Sequence, residues 1–100
     1  MSKIYEYLGL IFFFYANEHL PIHVHVAKAE CENKIELFFE NGKLMKWKIK
    51  KVRGRKDLKK TDLEEAIKFI RKYHEGIVNK WTDFFVKNKK VTCETINKKV

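Results

Sequence analysis

Three histidines fall in one short stretch, His19-x-Pro21-x-His23-x-His25, and their spacing is what gives them chemical interest. Side chains two positions apart on a strand project from the same face, so His23 and His25 point the same way, with His19 arriving from the preceding turn. Imidazoles titrate near neutrality and ligate metals as neutral bases. Such a trio could therefore act as general acid and base on a phosphodiester, or hold a metal ion. The same residues would serve equally as hydrogen-bonded side chains of a half-buried strand or as contacts to a partner.

Extended to Glu30, the pattern reads H-x-H-x4-E, a spacing used for metal in cupins. The flanking glycines of that motif are missing and the strands are too few for a cupin barrel, so no metal and no cofactor is assigned. Whether the chain is an enzyme stays open at this point.

A second candidate surface is basic. The 100-residue chain carries a net charge of +9, from 22 Lys plus Arg against 13 Asp plus Glu. Residues 1–42 carry a net −3, residues 43–60 a net +9 and residues 61–100 a net +3, so one segment accounts for the surplus. Lys46, Lys48 and Lys50 share one face of an alternating strand, and Lys51, Arg53, Arg55 and Lys56 continue beyond it. Such a ridge could lay cations along the phosphates of RNA or DNA, or meet an acidic protein. Lysines that merely protect a solvated edge strand would have the same pattern.

These residues need strands to position them. Leu8–Ala16 (LGLIFFFYA) is an apolar run bounded by Glu6 and by Asn17, Glu18 and His19. It is far shorter than the roughly 20 residues that span a bilayer and lacks a signal-peptide cleavage site. It reads as a strand buried on both faces, covered by helices or by a second protomer. Pro21 suits a turn, and Ile22–Ala27 alternates so that Ile22, Val24 and Val26 oppose His23 and His25. Asn33–Phe39 and Lys43–Val52 form a hairpin around Glu40-Asn41-Gly42. A two-residue Asn41-Gly42 loop would pair Phe39 with Leu44 and so set Leu37 against Lys46 and Ile35 against Lys48, apolar residues opposite charges. A three-residue loop is expected instead, pairing Phe39 with Lys43, Leu37 with Met45, Ile35 with Trp47 and Glu36 with Lys46.

Residues 50–60 read as an exposed basic loop. Thr61-Asp62-Leu63-Glu64 is a capping box that opens a helix, and the stripe Leu63, Ile67, Ile70, His74, Ile77, Trp81 and Phe84 carries it to Asn88, with Gly76 as the place for a bend. His74, Trp47 and Trp81 lie on apolar faces and read as packing residues. The tail 89–100 has weak periodicity. The expected architecture is a single α+β domain over residues 1–100. An antiparallel sheet of about four strands in two N-terminal hairpins lies within 8–52, followed by one bent helix or two helices within 61–88. At 45% hydrophobic and 35% charged residues, the composition fits neither a disordered chain nor an integral membrane protein. Cys31 and Cys93 lie far apart, without zinc-site or disulfide-scaffold spacing, which suits a reducing cytoplasm.

The segment Ile4-Tyr5-Glu6-Tyr7-Leu8-Gly9, the signature Asn17-Glu18-His19-Leu20-Pro21-Ile22-His23-Val24-His25, the hairpin, and the helical segment with His74 and Trp81 together resemble the bacterial "domain of unknown function 4160" family. Many of its members have proline where this chain has Ile22 and an aromatic where it has Val24. The resemblance carries over only His19, Pro21, His23 and His25 as signature positions. It implies a small bacterial protein encoded beside a second small protein, a pairing suspected of being toxin and antitoxin, and it implies no enzymatic activity. The resulting expectation is a toxin-like component of a two-gene module that acts on or binds RNA, with His19, His23 and His25 as the catalytic candidates. The alternative is a non-catalytic binding module or regulator that holds an acidic partner protein or DNA. Neither reading involves a membrane, and an oligomer is compatible with both.

Overall fold

Alternation along the chain decides which face each strand buries, and one helix supplies the cover. In the computed structural model, which describes Met1–Val100, the strands are β1 (Ser2–Tyr7), β2 (Leu10–Phe14), β3 (His23–Lys28), β4 (Cys31–Glu40), β5 (Lys43–Lys51) and β6 (Glu94–Ile96). The helix α1 (Lys60–Trp81) runs on into a wider π-type turn over Thr82–Val86. The strands form one mixed sheet in the order β5-β4-β3-β2-β1-β6, antiparallel throughout except for the parallel β1–β6 pair. No helix is long and apolar enough to cross a membrane.

The sheet therefore has six strands where about four were expected. The apolar run at the N-terminus is not a lone strand, because Leu8 and Gly9 both take positive φ (49° and 83°) and turn the chain into a β1–β2 hairpin. At the other end, three residues of the weakly patterned tail pair with Tyr5, Glu6 and Tyr7 of β1. Three residues are too few to display a period.

Ile4, Tyr7, Phe12, Phe14, Val24, Val26, Ile35 and Leu37 of the sheet share a buried cluster with Ala66, Phe69, Ile70 and Ile77 of α1. The Phe69 ring lies 4.7 Å from the rings of both Tyr7 and Phe12 and 4.5 Å from that of Tyr73. Dense aromatic packing of this kind suits a chain too small for a large aliphatic core. The helix covers one face of the sheet. The alternate residues of β2 to β5 project from the other.

The β4–β5 hairpin differs from the expected three-residue loop. Asn41 and Gly42 both have positive φ (52° and 79°), the geometry of a two-residue type I′ turn, and Glu40 pairs with Lys43 and Phe39 with Leu44. The pairing then shifts by one residue, to Phe38 with Lys46, Leu37 with Trp47, Glu36 with Lys48 and Ile35 with Ile49. A β-bulge at Met45, whose side chain stays exposed, performs the correction of parity expected of the turn. Trp47 consequently faces α1, with the Arg71 guanidinium 5.7 Å from its ring.

The basic connection is pinned rather than free. Asn33 Oδ1 accepts from the Leu58 amide (2.8 Å), its Nδ2 donates to Asp57 Oδ1 (2.9 Å) and to the Lys50 carbonyl (3.1 Å), and Leu58 is buried in the core. This anchor starts α1 at Lys60, with Lys59 at the cap and no side-chain cap bond, so the expected capping box does not form and Thr61 lies inside the first turn. The irregularity in the helix falls at Tyr73 (φ −106°, ψ 17°), not at Gly76. Gly76 serves packing instead: a Cβ there would collide with Oη of Tyr5, a buried phenol that desolvation, with Glu94 and Tyr73, pushes up to about 12.

An alanine in a helix interior normally gains about 1 kcal/mol over glycine. Gly76→Ala is expected instead to destabilise by about 1–3 kcal/mol through overpacking, and Tyr5→Phe in the double variant should recover most of that. Denaturant unfolding checks both; a Gly76→Ala protein as stable as wild type refutes the contact.

Candidate functional site

With Val24 and Val26 committed to the helix side, His23 and His25 must emerge on the uncovered face, where polar groups close over them. His23 is 2% exposed and His25 6%. Their neighbour is Glu18, from the segment between β2 and β3. Its Oε1 lies 2.8 Å from His25 Nε2 and its Oε2 lies 2.7 Å from His23 Nε2. The His25 contact is an aligned hydrogen bond. The His23 approach is close but misaligned, so this buried nitrogen lacks a hydrogen-bond partner.

The far sides of both rings are also held. His23 Nδ1 lies 2.8 Å from the Pro21 carbonyl, and His25 Nδ1 lies 3.1 Å from Glu32 Oε2. Glu32, itself 4% exposed, accepts from the Tyr15 hydroxyl (2.9 Å) and sits 3.4 Å from Arg55 Nε. Phe13 stacks on the His25 ring at 5.5 Å, and Trp81 meets His23 edge-on at 5.1 Å. Burial pushes the Glu18 carboxyl up, but the two imidazoles beside it outweigh this and leave it below the usual carboxylate range. Burial likewise holds His25 below its ordinary value against the opposing pull of Glu18 and Glu32. Tyr15 is raised by burial and by Glu32.

Of the expected histidine trio, the structure brings His23 and His25 together and leaves His19 outside the cluster. The ligand-type atoms that converge are those of Glu18, His23 and His25, all within 4.8 Å of one another. Sequence reasoning missed both glutamates. Glu18 carried no periodic signal, because it lies in irregular chain, although it stands next to His19 in the signature. Glu32 was within reach of a register argument: Lys28 pairs with Cys31 across a two-residue turn, which sets Glu32 beside Ala27, one same-face step from His25. Glu30, the H-x-H-x4-E acid, is exposed at that turn. His74 is half-buried, with Nδ1 2.7 Å from the Arg71 carbonyl and its ring 6.1 Å from that of Phe39, a packing role as expected.

The basic residues divide. Lys46, Lys48 and Lys50 share the uncovered face, because they pair with Phe38, Glu36 and Lys34, and the last two in turn pair with His23 and His25. One row thus reads Phe13, His25, Lys34, Lys50 across four strands. With strands spaced about 4.8 Å, the ridge on β5 stands only ~10 Å from the histidines. Both Lys46 and Lys48 hold their ammonium groups 5.4 Å from the half-exposed Phe38 ring. Lys51 turns to Asp57 (3.6 Å), and Arg55 is drawn in by Glu32 and by the carbonyls of Ala29 (3.1 Å) and Cys31 (3.5 Å). Arg53 and Lys56 are exposed.

One helix on one face of a mixed sheet, with a histidine–glutamate cluster and a lysine ridge side by side on the open face, defines a small α+β domain with a preformed polar site. Residues 9–82 match the family model described as Domain of unknown function (DUF4160), and the chain belongs to that family. The matched span takes in both glutamates, all four histidines and the lysine ridge, and leaves out β1 and β6. Comparisons with curated proteins and with solved structures returned no match.

Glu32 gathers Tyr15, His25 and Arg55 at one buried carboxylate, so its removal leaves three partners unsatisfied at once. Glu32→Ala is expected to cost about 3 kcal/mol, and Tyr15→Phe about 1 kcal/mol. Thermal unfolding reads the difference, since 1 kcal/mol shifts the midpoint of a domain this size by roughly 4–8 °C. Equal midpoints for the two variants would show that the carboxylate is not the hub.

Proposed function

We propose that the open face binds single-stranded RNA, with Lys34, Lys46, Lys48 and Lys50 on phosphates and Phe38 stacked on a base. The observation that carries this reading is the register that sets those four lysines on one uncovered face around an accessible aromatic ring. Single strands are held by a cationic track with interleaved aromatic platforms, since every base has a π-face and every nucleotide a charge. Duplex DNA keeps its bases stacked on one another and offers the Phe38 ring no free base face. Glu36, 3.8 Å from Lys34, tempers the charge at the centre and leaves the β5 side the stronger.

The histidines stand behind this surface in our reading. At 2% and 6% exposure they cannot touch a phosphodiester unless Glu18 moves aside, so the protein acts as a binder. In the two-gene setting that the family resemblance implies, RNA held in this way would be the target of a toxin-like component.

Fluorescence anisotropy with a labelled single-stranded RNA tests the reading. Charge reversal of Lys46, Lys48 and Lys50 together should abolish measurable binding, and Phe38→Ala should weaken it about 5- to 150-fold, the equivalent of ~1–3 kcal/mol of stacking. Neutralising the same three lysines should lower the slope of log affinity against log salt by roughly 2, at about 0.7 for each phosphate that no longer meets a cation. His23→Gln should bind as wild type does, and the RNA should stay intact. Binding indifferent to the charge reversals overturns the proposal, and cleavage that disappears in His23→Gln replaces it with the enzymatic reading.

A further inference from the structure

Three electron-pair donors, the Glu18 carboxylate and the Nε2 atoms of His23 and His25, converge behind that surface with at most one hydrogen among them while both rings are neutral. The Pro21 carbonyl can only accept, so the His23 Nδ1 that contacts it carries the ring hydrogen. His25 stands between two carboxylates, Glu32 at Nδ1 and Glu18 at Nε2, and as a neutral ring has a hydrogen for only one of them. The His23 Nε2 is then a bare lone pair aimed at Glu18, and a neutral His25 turns a lone pair on either Glu18 or Glu32. Lone pair against carboxylate is repulsive, and the His23 Nε2, buried with its side chain, has no hydrogen-bond partner. Protons on both nitrogens would relieve the clash, at the expense of two imidazolium rings 5.6 Å apart in a buried site.

We propose that Glu18, His23 and His25 are the protein ligands of one divalent transition-metal ion of the zinc class. The donor set suits such an ion: two imidazole nitrogens and one carboxylate favour zinc and its first-row neighbours over magnesium or calcium, which prefer all-oxygen shells. The groups behind the ligands suit it too. Ligating histidines usually donate their second ring N–H to a carboxylate or a backbone carbonyl, and here His25 has Glu32 and His23 has Pro21. Charge favours a cation there too, since the one fixed cation beside the two carboxylates, Arg55, contacts Glu32 and leaves Glu18 without a fixed counter-charge.

Ligand atoms on a tetrahedral zinc ion with bonds of ~2.0 Å lie about 3.3 Å apart. The three ligand-type atoms here lie within 4.8 Å of one another, so seating an ion calls for small rotations of the two imidazoles and of the Glu18 side chain, which lies on irregular chain. His19, which a reading of spacing alone would enlist, is not a ligand. With 14% of the Glu18 side chain exposed and both imidazoles nearly closed off, the ion would tie the segment between β2 and β3 down onto β3.

The full chain, stripped with chelator, is titrated with zinc chloride by calorimetry and with cobalt chloride by visible absorption. One ion per chain is expected, with cobalt d–d bands of low-coordinate type that zinc displaces. Glu18→Gln and His23→Gln should bind at least about tenfold more weakly, Glu32→Gln about 10- to 100-fold more weakly, and His19→Ala as wild type does. Far-ultraviolet circular dichroism reports whether each variant is folded. If one is not, X-ray absorption of the wild-type zinc protein decides, two imidazoles and a carboxylate oxygen supporting the site. A wild-type chain that takes up neither ion, or binding unchanged in Glu18→Gln and His23→Gln, overturns the proposal. Each of these readouts is independent of RNA binding.

Discussion

Everything on the open face follows from the burial of Val24 and Val26 against α1. A strand alternates with a period of two, so two valines committed to the core force the intervening histidines to the opposite side. No second layer of helix waits there. Aromatic groups and the chain between β2 and β3 have to close over imidazoles that the core has rejected, and polar partners must be found locally. Glu18, Glu32, Tyr15 and the Pro21 carbonyl supply them. The cluster is therefore a by-product of core packing and a site at the same time, which explains how so small a domain can hold two nearly inaccessible histidines.

The same alternation shows which parts of the structure were legible in the sequence. β3, β4, β5 and the helix declared themselves through repeated apolar positions, and Lys46, Lys48 and Lys50 shared a face because their spacing left no other arrangement. What escaped detection was short, irregular or compensated. β6 has three residues, and β1 was hidden by the continuous apolar character of its neighbour. The turn at Asn41-Gly42 was misread because a register argument assumes regular pairing, and the bulge at Met45 breaks that assumption while keeping Leu37 and Ile35 in the core. In the site, His23 and His25 could be paired by parity alone. Glu18 could not, since no period runs through the segment that carries it.

The basic segment illustrates how composition differs from surface. Ten of its residues are cationic, yet Arg55 and Lys51 are spent on Glu32, Asp57 and two carbonyls. Arg55 in particular couples the segment before α1 to the histidine cluster through one carboxylate. Lys46, Lys48 and Lys50 of β5 keep their charge for the outside. A net +9 is thus part scaffold and part ridge, and only the sheet register tells the two apart.

The parallel strand β6 has a consequence for how the molecule behaves among its own copies. One border of the sheet, β5, is rich in lysine and repels a second chain that tries to pair with it. The other border would be β1, with Ile4, Tyr5 and Tyr7, were it not occupied by residues 94–96. Loss of that short segment, by proteolysis or through a bulky fusion that pulls it away, would uncover an aromatic strand with free amides and carbonyls, a template for intermolecular growth. Three residues without any visible role at the binding face thereby occupy the backbone hydrogen-bonding groups of β1 that another strand would otherwise use.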